Sequence, residues 1–236
     1  MIRRRPSSER GHADHGWLLA RHSFSFADYH DPGEMGWGCL RVLNEDRIQP
    51  GRGFGMHGHR DMEVVTYLLA GSLEHRDSLG NGGVIGPGEV QRMSAGRGIL
   101  HSEFNPSLRD ETHLLQIWIE PARRGTPASY EQKALSPAAR RGRLMPVATP
   151  DGAEGSLSIG QDAHIHAALL APGERLATPL DPGRLAYVHV VSGALSLNGV
   201  ALEGGDGAKV AEEGLLEFAA AESSEILLFD LPPARV

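Results

Sequence analysis

The chain has 236 residues, 40% hydrophobic and 22% charged, the balance of a globular protein with length for one large domain or two small ones. Its net charge of −7 gives no electrostatic reason to bind nucleic acid or an anionic membrane, and the basic clusters at Arg3–Arg5, Arg123-Arg124 and Arg140-Arg141 read as solvated surface. One cysteine, Cys39, excludes an internal disulfide, and no apolar run approaches a membrane span, so a cytoplasmic protein is expected.

From the start of the chain, Arg3-Arg4-Arg5 is followed by Pro6-Ser7-Ser8-Glu9-Arg10 rather than by the apolar core of a signal peptide. After GFGMHGH at 53–59 come short apolar runs closed by Gly, Asn or Pro: EVVTYLLAG at 63–71, SLEHRDSLGNGG at 72–83, and HLLQIWIEP at 113–121. The segment Gly80-Asn81-Gly82-Gly83 reads as a hairpin loop, because no helical pattern or suitably placed lysine follows to make it a phosphate loop. Residues 123–150, rich in Arg, Pro and Ala, read as a linker with a short helix at Ser136–Arg141. Beyond it lie LAYVHVVSG, ALSLNGVAL, LLEFAA and EILLFDLPP, with Asn198-Gly199 suited to a type I′ hairpin. Short strands with frequent turn signals imply an all-β fold of sandwich or barrel type.

The chain also repeats itself. PGRGFGMHGHRDMEVVTYLLAGSL from Pro50 lies without a gap over PGERLATPLDPGRLAYVHVVSGAL from Pro172. Gly88-Glu89-Val90 then lies over Gly205-Asp206-Gly207, and Leu114–Pro121 over Glu225–Pro232. The same blocks in the same order, at a shrinking spacing, describe two copies of one fold, the second with shorter loops. We take residues 1–130 as the first domain, 131–150 as a linker and 151–236 as the second domain.

Four side chains of the first copy carry chemistry: His57, His59, His101 and Glu103. Residues i and i+2 of a strand share a face, about 6–7 Å apart. Two imidazoles so placed can meet one ion at about 2.1 Å from each nitrogen, and Ile99–Glu103 repeats the spacing with His and Glu. Four ionisable groups inside a barrel are costly unless a divalent cation compensates their desolvation. Three imidazoles and a carboxylate suit Fe(II), Zn, Mn, Ni, Cu or Co rather than Ca or Mg. In the second copy Pro179 and Asp181 stand over His57 and His59, and Phe218 and Ala220 over His101 and Glu103, so the ligands vanish together. Glu63 shares the His57/His59 face by parity and competes with Glu103 for the fourth place. His75 and Asp77 either line the pocket, orient a ligand or form a polar hairpin tip. His164, His166 and His189 read as structural or surface residues.

These residues resemble the cupin superfamily and, within it, the pirin family. Gly51, His57, His59 and Glu63 follow the first cupin motif; Gly98, His101 and Asn105 follow the second. The pirin-like phrases are MSAGRGILHSE at 93–103, EVVTYLLAG, and RHSFSFADYHDP at 21–32. The resemblance implies a bicupin, two antiparallel β-barrels face to face, with the metal in the N-terminal one, Fe(II) first, and His57, His59, His101 and Glu103 as ligands. Gly58 departs from the Pro common in relatives. Some bacterial pirins resemble quercetin 2,3-dioxygenases, which implies a small planar aromatic substrate and O2, with Glu103 as catalytic base and Phe54, Met56, Glu63, His75 and Met93 as pocket candidates. Animal pirins resemble a different role, a metal-dependent redox-sensing regulator that binds a protein partner.

Overall fold

The computed structural model describes residues 1–233; the last three positions of the 151–236 segment lie outside the described residues. Alternation of apolar and polar residues sets most strands. In Leu73–Asp77, Leu73, His75 and Asp77 turn inward, while Glu74 and Arg76 pair outside at 2.7 Å. Glu63–Ala70 and Leu185–Ser192 are instead buried on both faces over most of their length. Each has a barrel interior on one side and the other barrel on its back, so neither face meets water and both are mostly apolar.

The first barrel closes a seven-stranded sheet on a four-stranded one. The larger sheet runs, in spatial order, through Ser129–Ala134, Glu89–Ser94, Glu63–Ala70, Thr112–Ile119, Leu40–Ile48, Leu18–His22 and Gly11–Asp14. The smaller runs through Gly53–His59, Ile99–Phe104, Leu73–Asp77 and Gly82–Ile85. The second barrel has the same plan, its small sheet running through Arg175–Pro179, Leu215–Ala220, Ala194–Leu197 and Val200–Glu203. Asn198 (φ 46°) and Gly199 (φ 82°) make the expected two-residue turn, both central residues having positive φ. The large sheets face one another, and Val65, Tyr67, Leu115 and Ile117 of one join Ile165, Tyr187, Leu227 and Phe229 of the other in one core. The fold is all-β, a bicupin. Among the described residues no helix is long and apolar enough to cross a membrane.

Strand pairing crosses the expected domain limits twice. Ile2–Arg5 pairs with Gly207–Val210 in the second barrel, and Ser129–Ala134 pairs with Glu89–Ser94 in the first. The segment expected to be a linker therefore holds that strand, the helix Pro137–Arg140 and the strand Met145–Thr149. Its polar composition reflects an edge position, with one side open to water.

The ladders also correct the internal alignment. Glu103 pairs with Phe54 and His75, and Phe218 pairs with Leu176 and Leu197, so Phe218 stands over Glu103 and Leu216 over His101. The second copy's loop before this strand is two residues shorter than the alignment assumed, which moved its counterparts along by two. Gln116 corresponds to Leu228 by the same comparison of ladders, and Gln91 to Ala208.

Candidate metal centre

His57 lies opposite His101 on neighbouring strands, and an irregularity between His101 and Glu103 lets Gly55 and Met56 oppose Ser102 alone. Such a bulge re-aims side chains locally. Glycine is required at its start: a Cβ on Gly53 would lie 2.2 Å from the Glu103 carbonyl oxygen and 2.5 Å from Phe104 Cα. The result is three imidazoles turned to one point. Donor atoms of His57, His59 and His101 lie within 4.8 Å of one another. The rings of His57 and His101 are 4.4 Å apart, and His59 is 4.9 Å from each.

Burial, with the neighbouring imidazoles His57 and His59, lowers His101 to about 3, and burial with His57 lowers His59 to about 4. Both are neutral at pH 7, the form that coordinates metals. His57 Nδ1 is 2.8 Å from the Gly55 carbonyl oxygen, to which it donates, leaving Nε2 free. His101 Nε2 is buried with no hydrogen-bond partner. A buried polar atom normally has one, and a cation among these nitrogens would supply it, so the donor set fits a divalent transition metal.

Glu103 adjoins the trio. Its Oε1 accepts from Gln91 Nε2 at 2.8 Å and Thr66 Oγ1 at 3.3 Å; its Oε2 accepts from Gln116 Nε2 at 2.8 Å. Burial nevertheless pushes its carboxyl up to about 7, the three donors opposing. Donor atoms of His75, His101 and Glu103 also lie within 4.8 Å of one another. His101 belongs to both groups, so the histidines and the carboxylate form one continuous His/Glu cluster.

The cluster opens on a cavity of about 600 Å³. Trp17, Leu18, Phe26, Phe54 and Trp118 give it apolar walls, and Asn44, Asp46, Glu103 and Gln116 place polar groups among them. Asp46 is buried, its Oδ1 has no partner, and burial together with nearby Glu103 raises its carboxyl to about 7.

Three of the pocket candidates lie elsewhere. Met56 falls in the bulge and points out, 59% exposed. Met93 is buried in a cluster with Val64, Ala95 and Ile99, behind the cavity wall. Glu63 is buried on the opposite face of its sheet, where Ser94 Oγ donates to it at 2.5 Å and Gly160 of the second barrel approaches. The parity that placed it beside His57 fails because Arg60–Met62 is not strand and Asp61 turns through a left-handed conformation (φ 50°). Phe54 lines the cavity. His75 is no hairpin tip: its side chain is fully enclosed against His101.

Gln91, Gln116, Thr66 and Asp46 went unnoticed in the sequence. Gln116 carried a signal, a lone amide in the apolar run Leu114–Ile119. In the second barrel the counterparts Leu216, Phe218, Leu228 and Ala208 belong to one closed apolar cluster.

Two face-to-face β-barrels, one with a His/Glu cluster at its open mouth and the other filled with hydrocarbon, define a bicupin with a candidate metal centre in its first half. The chain belongs to the pirin family: residues 3–119 match the family described as Pirin, and residues 146–231 match the one described as Quercetinase C-terminal cupin domain. A relative from Escherichia coli (strain K12) named quercetin 2,3-dioxygenase is 45% identical over 233 residues, 99% of this chain and 100% of that protein. A pirin-like protein from Caulobacter vibrioides is 42% identical, over 98% of this chain and 99% of that one. The bacterial pirin YhhW from Escherichia coli, solved in complex with nickel(II), superposes with a TM-score of 0.95 at 44% identity, covering 99% of this chain and 100% of that one.

Proposed function

We propose that this protein is a metal-dependent dioxygenase that opens the central ring of a flavonol such as quercetin with O2 and releases carbon monoxide. The observation that carries this reading is the position of Glu103: a carboxyl with a proton affinity near neutrality, set beside three clustered imidazoles at the wall of an apolar cavity. The name quercetin 2,3-dioxygenase on the Escherichia coli relative supports it.

His57, His59, His101 and Glu103 would hold one divalent ion, Fe(II) first, with Zn, Ni, Mn, Co or Cu able to take its place. Bound there, the ion supplies a Lewis acid and open coordination positions, which lower the pKa of a hydroxyl group. Glu103 takes up the flavonol hydroxyl proton at a carboxylate oxygen. Gln91, Gln116 and Thr66 fix that carboxyl while the proton arrives. Trp17, Phe54 and Trp118 present flat apolar surfaces that suit a planar polyphenol and exclude water.

The test is to load the protein with Fe(II), add quercetin in air, and follow loss of flavonol absorbance together with carbon monoxide release. Turnover by wild type and its loss in His101→Ala is the expected result. Absence of turnover in a protein that binds metal tightly would overturn the dioxygenase reading. A second reading, a metal-dependent regulator with a protein partner, draws on the outer face of the same ribbons. There Met56, Leu100 and Phe104 are 59%, 50% and 37% exposed, alternating with the cluster residues.

A further inference from the structure

His101 has a second nitrogen, and a row of side chains stands behind it. His101 Nδ1 lies 3.5 Å from His75 Nδ1, and His75 Nε2 lies 3.3 Å from Asp77 Oδ2. Asp77 is anchored in turn: its Oδ1 accepts from the backbone N–H of Leu79 at 2.9 Å and of Asn81 at 3.0 Å, and its Oδ2 accepts from Asn81 Nδ2 at 2.9 Å. The side chains of His75 and Asp77 are both completely enclosed. The His75 ring cannot swing aside, because Tyr130 stacks on it with centroids 4.3 Å apart at 19°. Tyr130 Oη also donates to Gln91 Oε1 at 3.0 Å, and Gln91 holds Glu103.

Only one arrangement of protons satisfies this row. An ionised Asp77 accepts and does not donate, so His75 carries its proton on Nε2 and presents a bare Nδ1. His101 then donates its Nδ1–H to His75, which leaves the His101 Nε2 lone pair directed at His57 and His59. We propose that His75, set by Asp77 and clamped by Tyr130, is a positioning residue that selects the coordinating tautomer of His101. It does the work that a carboxylate or carbonyl commonly does behind a metal-binding histidine. Asp77 acts on His101 through a second imidazole, while Tyr130, from the edge strand Ser129–Ala134, braces both the His101 and the Glu103 supports.

This inference rests on the reading of His101 as a ligand, and the experiment separates the two. Ni(II) is titrated calorimetrically into metal-free wild type, His75→Leu, His75→Gln and Asp77→Asn. The apoprotein imidazoles are followed by 15N NMR, which reports which His101 nitrogen is protonated. His75→Leu is expected to weaken Ni(II) binding about ten- to a hundredfold and to move the His101 proton from Nδ1 toward Nε2. His75→Gln, whose amide oxygen accepts from Nδ1, restores most of both. Asp77→Asn, which keeps the volume and removes the charge, is expected to weaken binding several-fold, and it carries the test if His75→Leu does not fold. Wild-type affinity in His75→Leu, or in Asp77→Asn where His75→Leu does not fold, overturns the proposal, as does a failure of His75→Gln to exceed His75→Leu. Failure of wild type itself to bind Ni(II) overturns the ligand reading instead.

Discussion

Gln116 donates from Nε2 to Glu103 Oε2 at 2.8 Å, and in the second barrel the same two places are held by Leu228 and Phe218 in apolar contact. The fold thus carries its own account of what the amide does. Leucine fits that position, so Gln116→Leu should fold normally while removing one of three donors that favour the charged carboxyl. Loss of a donor to the ionised form raises a pKa. Glu103, already near 7, moves higher, and protons compete with metal over a wider range. The expected outcome is a Ni(II) affinity that falls off at higher pH than in wild type, read by titrations between pH 6 and 9.

His101 is common to both donor groups of the cluster. His101→Ala should abolish measurable Ni(II) binding, at least about a hundredfold. The metal-free melting temperature should hold, since the buried, partnerless Nε2 is removed together with the ring and offsets the lost contact to His75. Calorimetry and scanning fluorimetry on the same preparation check both halves.

His189 gives stability a pH dependence away from the metal cluster. It is wholly buried, and burial, with Arg10 adding repulsion, lowers it to about 3. In the unfolded chain it titrates near about 6.5. Below that pH the unfolded state takes a proton that the folded state refuses, so folding loses stability steadily as pH falls toward 3. Between pH 7 and pH 5 the loss is about 2 kcal/mol. Denaturant melts of His189→Gln should show a smaller loss over that interval; an equal loss would assign the acid sensitivity elsewhere.

The barrels are tied by a polar contact within their apolar interface. Arg140 Nη1 donates to Tyr67 Oη at 2.5 Å and to Glu225 Oε1 at 2.6 Å, and Tyr67 Oη also contacts Glu225. Arg140 is only 7% exposed along its side chain. Glu225→Ala leaves that guanidinium buried beside one hydroxyl, at an expected cost of about 3 kcal/mol. Equilibrium unfolding measures it, and a cost below about 1 kcal/mol would mean that water replaces the carboxylate.

Gly53→Ala should disturb the centre without touching a donor atom. The added methyl meets backbone of Glu103 and Phe104, which cannot move aside cheaply. We expect weaker Ni(II) binding together with a lower melting temperature, in contrast to His101→Ala, where only the first changes.

The histidine trio was legible in the sequence because alternation on a strand survives without knowledge of its neighbours: Met56 and Gly58 point out, so His57 and His59 point in. Glu63 was misplaced because parity does not survive the left-handed turn at Asp61, where the chain leaves one sheet for the other. Counterparts of His101 and Glu103 were misassigned by two residues because a shortened loop leaves no trace in apolar blocks; only the ladder reveals it. His75 looked like a hairpin tip because LEHRDS is polar. Its burial depends on Tyr130, which arrives from a strand that composition alone reads as linker. Local pattern thus located donors, whereas their supports come from distant segments that only tertiary structure brings near.

Ile2–Arg5, far in sequence from the rest of its sheet, forms the outer rung beside Gly207–Val210, and the Met1 nitrogen meets Glu213 at 2.7 Å. During synthesis this rung emerges long before its partner and must wait, unpaired, until Gly207–Val210 has left the ribosome. Deleting Ile2–Arg5 should therefore loosen the second barrel, whose outer rung it supplies, and spare the first.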